Sequence, residues 1–175
     1  MQGSRFRIAV AGGIAVIGAV GVAVALATNG PKVKGTLSGY QEVPAISTEA
    51  SGKFEAKVPK GGGPIRYELR YADIPDVTQA HLHFAQKGVN GGIVVFICSN
   101  LGNGPAGTPA CPAGSATLTG DVTSDDVLAT NPNQGIAAGE LDELKRAVRA
   151  GVVYANVHST EFAGGEIRAQ LRPNR

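Results

Sequence analysis

A chain of 175 residues has the length of one domain of ordinary size. Its formal charge of +2 belongs to the first 27 residues, because removing Arg5 and Arg7 from the 16 basic side chains leaves 14 against 14 acidic ones. The remainder is formally neutral and has no cluster of Lys and Arg interleaved with aromatics, which excludes nucleic acid as a partner.

Residues 1–27 read as a targeting segment. Arg5 and Arg7 lie in an acid-free start, Ile8 to Ala27 is uncharged and apolar, and Ala25-Leu26-Ala27 supplies small residues for cleavage. The run of about 20 residues exceeds the usual signal core and is long enough to span a bilayer. A cleaved signal peptide and a retained membrane anchor are both open, and either puts the domain outside, as a secreted, periplasmic or cell-surface protein. Thr28 to Lys34, with Pro31, reads as a linker, and residues 35–175 as the domain.

Eight strands are predicted, at Gly35 to Tyr40, Gly52 to Val58, Ile65 to Ala72, Thr78 to Gln86, Gly92 to Cys98, Ala116 to Thr123, Val152 to His158 and Glu166 to Leu171. Gly- and Pro-rich turns separate them, as in Pro59 to Pro64 and Asn90-Gly91-Gly92. Short strands in succession, with little helix between them, imply an all-β fold, an antiparallel Greek-key-like sandwich. One helix is predicted over Gly139 to Ala150, with Leu141, Leu144 and Val148 on one stripe, acids first, bases last, and Gly151 to end it. Its expected role is to cover one end or edge of the sandwich. Asp125-Asp126 reads as a helix or turn start, since calcium would need more oxygen ligands at fixed spacing.

Cys98 and Cys111 are the two cysteines, and in an exported chain a lone pair 13 positions apart reads as a disulfide. It pins SNLGNGPAGTPA, a loop with no ionisable side chain and so a surface for recognition rather than catalysis.

The last two strands form a hairpin turning at Gly164-Gly165. Val153, Ala155 and Val157 alternate with Tyr154, Asn156 and His158; Ile167, Ala169 and Leu171 alternate with Glu166, Arg168 and Gln170. In Gln79 to Ala85, the side carrying Ala80, Leu82 and Phe84 leaves His81 and His83 together on the other. With His158 these are all the histidines of the chain, and all three are expected on an outer, polar sheet face. Glu166 and Arg168 are expected to form an ion pair there, and Glu42 to tie the end of the first strand to the body.

The segments LSGYQEVPAISTEASG, DVTQAHLHFAQKGVNGGIVVFIC, LTGDVTSDDV and YANVHSTEFAGGEIRAQL resemble, in order, the chordin-type domain, usually called the CHRD domain. The resemblance implies an extracytoplasmic β-sandwich-like domain and brings no established activity. Its partner would be an extracytoplasmic protein or surface ligand, with the membrane engaged through residues 8–27 if these are retained.

Two functions follow. One is an exported, non-enzymatic binding or structural module. The other adds a mononuclear site, since two histidines at i and i+2 stand about 6.5–7 Å apart at Cα and point the same way. With His158 they would offer three nitrogens to Cu²⁺ or Zn²⁺, and Glu166 a fourth ligand or an orienting carboxylate. His-x-His on such a strand also resembles copper-zinc superoxide dismutase, but three histidines cannot furnish both of its metal sites. Hydrolysis through His158 with Ser159, Thr160 or Ser47 lacks a nucleophile elbow, so no catalytic residue is assigned.

Overall fold

The computed structural model describes residues 30–174. The targeting segment expected at 1–27 lies outside the described residues, none of whose helices is long and apolar enough to cross a membrane.

Nine antiparallel strands and one helix make up the domain: β1 Lys32–Ser38, β2 Ser51–Lys57, β3 Ile65–Ile74, β4 Val77–Phe84, β5 Gly92–Ser99, β6 Gly114–Val122, α1 Leu141–Ala150, β7 Val153–Ser159, β8 Ile167–Gln170 and β9 Arg172–Pro173. They form one sheet in the order β5-β4-β7-β8-β1-β2-β3-β6, with β9 beside β1. The sheet nearly closes, because its terminal strands β5 and β6 line one cavity, with Val95 to Ile97 on one and Thr119 to Val122 on the other.

The eight expected strands are all present. β9 is additional, two residues including a proline and too short to carry a period. The stretch expected as linker through Lys34 is corrected: β1 begins at Lys32, since Val33 is fully buried and continues inward the alternation of Gly35 and Leu37.

One apolar core lies on the inward faces. Leu37, Phe54, Leu69, Leu82, Ile97 and Ile167 are each no more than 1% exposed, and each such side chain gains about 1.5–3 kcal/mol by leaving water. Helix α1 closes one end of it with Leu144 and Val148. Its Lys145 ammonium, also buried, donates to the Gly61 carbonyl and to Asp142, and Arg149 donates to the Pro59 carbonyl, so α1 is tied to the β2–β3 loop. Gly151 ends the helix at φ 75°, its N–H reaching the Ala147 and Val148 carbonyls. The disulfide between Cys98 and Cys111 is formed and fixes the loop after β5. Closing a loop of that size contributes about 3 kcal/mol.

Strands β7 and β8 are buried at every residue, although their sequences alternate apolar and polar. Their inner side faces the core. Three connections fold across the other side: residues 39–48 after β1, residues 85–91 between β4 and β5, and residues 160–165 between β7 and β8.

Candidate metal centre

The polar face expected to be outer is therefore an interior, and that expectation is corrected. His81, His83 and His158 are 1%, 8% and 6% exposed, and Asn156, Glu166, Arg168 and Gln170 are buried with them. Period two assigns a residue to one of two faces; whether a loop then covers that face depends on segments that carry no period.

Register brings the histidines together. β7 lies beside β4, with Gln79 opposite His158, His81 opposite Asn156 and His83 opposite Tyr154. On the other flank of β4 the pairing with β5 shifts twice, between Ala80 and His81 and between Leu82 and His83, and it sets Phe96 opposite His81. Register shifts of this kind re-aim side chains. The Phe96 ring meets the His81 imidazole edge-on at 4.4 Å between centroids and walls the cluster on that side.

One ring nitrogen from each histidine lies within 4.8 Å of the other two. His81 Nδ1 stands 3.2 Å from His158 Nε2. His83 Nδ1 is 3.0 Å from the Gly91 carbonyl, and His158 Nδ1 is 3.0 Å from that of Ala163. A carbonyl can only accept, so both of these Nδ1 atoms carry the proton and both Nε2 atoms are bare lone pairs. Two lone pairs at 3.2 Å would repel, so in the metal-free protein His81 Nδ1 donates to His158 Nε2. The Nε2 atoms of His81 and His83 are then buried with no partner in the protein, a costly arrangement for polar atoms.

Electrostatics keeps the rings neutral. Burial drives His81 down to about 2, with the neighbouring His158 and His83 adding to the shift. Burial also lowers His83 to about 4, against the pull of the Gly91 carbonyl. His158 is lowered by burial and partly restored by the Ala163 carbonyl. Neutral imidazole is the form that ligates metal.

Around the histidines lies a shell whose partners local patterning does not reveal. The Arg168 guanidinium sits 3.4 Å from the Tyr154 ring centroid, and Tyr154 in turn stacks on His83, 4.6 Å between centroids and 2° from parallel. Arg168 also donates to Asn90 Oδ1 and to the Val89 carbonyl, at 2.8 and 2.7 Å. Asn90 continues to the Val43 carbonyl, and Tyr154 Oη accepts from the Gly91 N–H. Asn90, which reads from sequence as a plain turn residue, thus joins two of the covering segments. Glu42 accepts a hydrogen bond from Asn156 Nδ2, tying the end of β1 to the body as expected. Burial pushes its carboxyl up to about 7, with Arg168 pulling the other way.

Glu166 lies outside the ligand-distance group of the three histidines, and its Oε1 accepts from Thr48 Oγ1 at 2.7 Å. No ion pair among the described residues joins it to Arg168, because the 85–91 segment takes the guanidinium and Thr48 takes the carboxylate. Ser159 Oγ accepts from the Phe162 N–H, a local turn bond that occupies the hydroxyl nearest in sequence to His158. Asp126 closes a capping box with Thr123, as a turn start should.

The chemistry of the donor set fits a metal ion. Two nitrogens that each lie 2.0–2.1 Å from one ion stand about as far apart as His81 Nδ1 and His158 Nε2 do, with an angle of roughly 100° at the ion. The carbonyls of Gly91 and Ala163 hold the outer nitrogens of the other two rings, the second contact that a ligating imidazole ordinarily makes.

Against known families, a family model described as CHRD domain matches residues 33–171. No curated protein and no solved structure matches the chain.

Proposed function

This chain belongs to the CHRD domain family, and from that premise we propose that it is an extracytoplasmic binding module whose ligand is one transition-metal ion held by His81, His83 and His158. The observation that carries this reading is the convergence of one ring nitrogen from each of three neutral, buried histidines within 4.8 Å, with His83 Nε2 otherwise unpartnered. The ion occupies the space the three nitrogens face, and Glu166 stays with Thr48. The Cys98–Cys111 disulfide supports an oxidising compartment, as does the apolar run at residues 8–27. Whether that run is a cleaved signal or an anchor decides between a released module and one held at the membrane.

Titration of the metal-stripped protein with Zn²⁺ and Cu²⁺, set against the His81→Ala/His83→Ala double variant, tests the site. One ion per chain, lost in the variant, is the expected result. Binding no tighter than the variant's leaves a CHRD module whose histidines serve as buried hydrogen-bonding groups and whose ligand is an extracytoplasmic protein or surface molecule.

A further inference from the structure

The cluster is rich in nitrogen and poor in negative charge. Its ligand-distance group contains three histidines and no carboxylate or thiolate; both cysteines are spent in the disulfide. The two buried acids are committed elsewhere, Glu166 to Thr48 and Glu42 to Asn156. Arg168 brings a positive charge to the edge of the cluster, its guanidinium lying over the Tyr154 ring that stacks on His83.

An ion entering this site brings its whole charge into a buried pocket that does not neutralise it. The desolvation cost of an ion grows as the square of its charge, so a dication meets about four times the penalty of a monocation. It also meets twice the repulsion from Arg168, which is screened little where water is excluded. Three imidazoles with no fourth protein ligand complete a trigonal shell for Cu⁺, whereas Zn²⁺ and Cu²⁺ would each need water or another outside group to fill theirs. We propose that the His81–His83–His158 site selects Cu⁺ over Zn²⁺ and Cu²⁺. This inference rests on the metal-binding reading above and names the ion that reading leaves open.

The test is a set of competition titrations on the full-length chain under anaerobic conditions. Cu⁺ is supplied as its bicinchoninate complex with ascorbate, and Zn²⁺ and Cu²⁺ are each titrated without reductant against their own chromophoric chelators. The expected result is one Cu⁺ per chain, lost in His81→Ala/His83→Ala, and bound at least about 100-fold more tightly than either dication. Equal or tighter binding of Zn²⁺ or Cu²⁺ overturns the selectivity and leaves the metal site standing. Failure of all three ions to bind overturns the site itself. In Arg168→Gln the preference for Cu⁺ over Zn²⁺ should narrow about tenfold, and an unchanged ratio removes Arg168 as its source. If that variant does not fold, the ratio in the unmodified chain still decides the selectivity.

Discussion

His81 Nδ1 lies 3.2 Å from His158 Nε2, although the two residues are 77 positions apart in the chain. Only one proton fits between these atoms, and the Ala163 carbonyl, by holding the His158 proton on Nδ1, makes His81 the donor; the Gly91 carbonyl likewise holds the His83 proton on Nδ1. All three imidazoles should therefore be Nδ1–H tautomers in the metal-free protein at neutral pH. Metal binding through His81 Nδ1 should move that ring alone to the Nε2–H form, with His83 and His158 unchanged. Two-bond ¹H–¹⁵N correlation spectra of the imidazoles read this directly. A metal-free His158 protonated at Nε2 would contradict the arrangement.

Stability of the metal-free domain should fall on both sides of a middle pH range, for different reasons. The histidines are depressed, so the unfolded chain binds protons below about 6.5 that the folded one refuses. Stability is then lost as pH drops, down to about 4 for His83 and about 2 for His81, each histidine contributing up to about 1.4 kcal/mol per pH unit. Glu42 is raised from 4.5 to about 7, so its contribution is complete below 4.5 and is lost as pH rises toward 7. Glu42→Gln keeps an acceptor for Asn156 and removes the second loss. Urea midpoints should show the variant gaining on the parent at pH 8 and not at pH 4; parallel pH profiles would sink this account.

Gly165 has φ 128°, a conformation that L side chains rarely adopt. An added Cβ would lie 2.7 Å from Glu42 Oε1 and closer still to Asn156 Nδ2. Gly165→Ala should cost about 1–3 kcal/mol by backbone strain and overpacking together. Urea unfolding gives the cost, and a change under about 0.5 kcal/mol, the range of ordinary surface substitutions, would show that the turn relaxes freely.

What was legible in the sequence was whatever repeats with period two. The hairpin of β7 and β8, the shared side of His81 and His83, and the apolar set of each strand follow from alternation alone, and the helix follows from its stripe and charge order. The burial of the polar face was not legible, because it depends on residues 39–48, 85–91 and 160–165 crossing that face, and a loop's path leaves no period. The fates of Glu166 and Arg168 went astray for the same reason: their partners, Thr48, Asn90 and the Val89 carbonyl, sit in those loops. Adjacency of β4 and β7 is a matter of strand order, which local patterning does not encode.

A ribosome or a translocation channel delivers a chain from its N-terminal end, so His81 and His83 emerge long before His158. The 160–165 turn, whose Ala163 carbonyl orients the third ring, follows it. Any ion held by all three rings can be loaded only after nearly the whole domain has emerged and β7 has docked on β4. Occupancy of the site would thus report a completed domain, and the metal would be drawn from the compartment where folding ends rather than the one where synthesis begins.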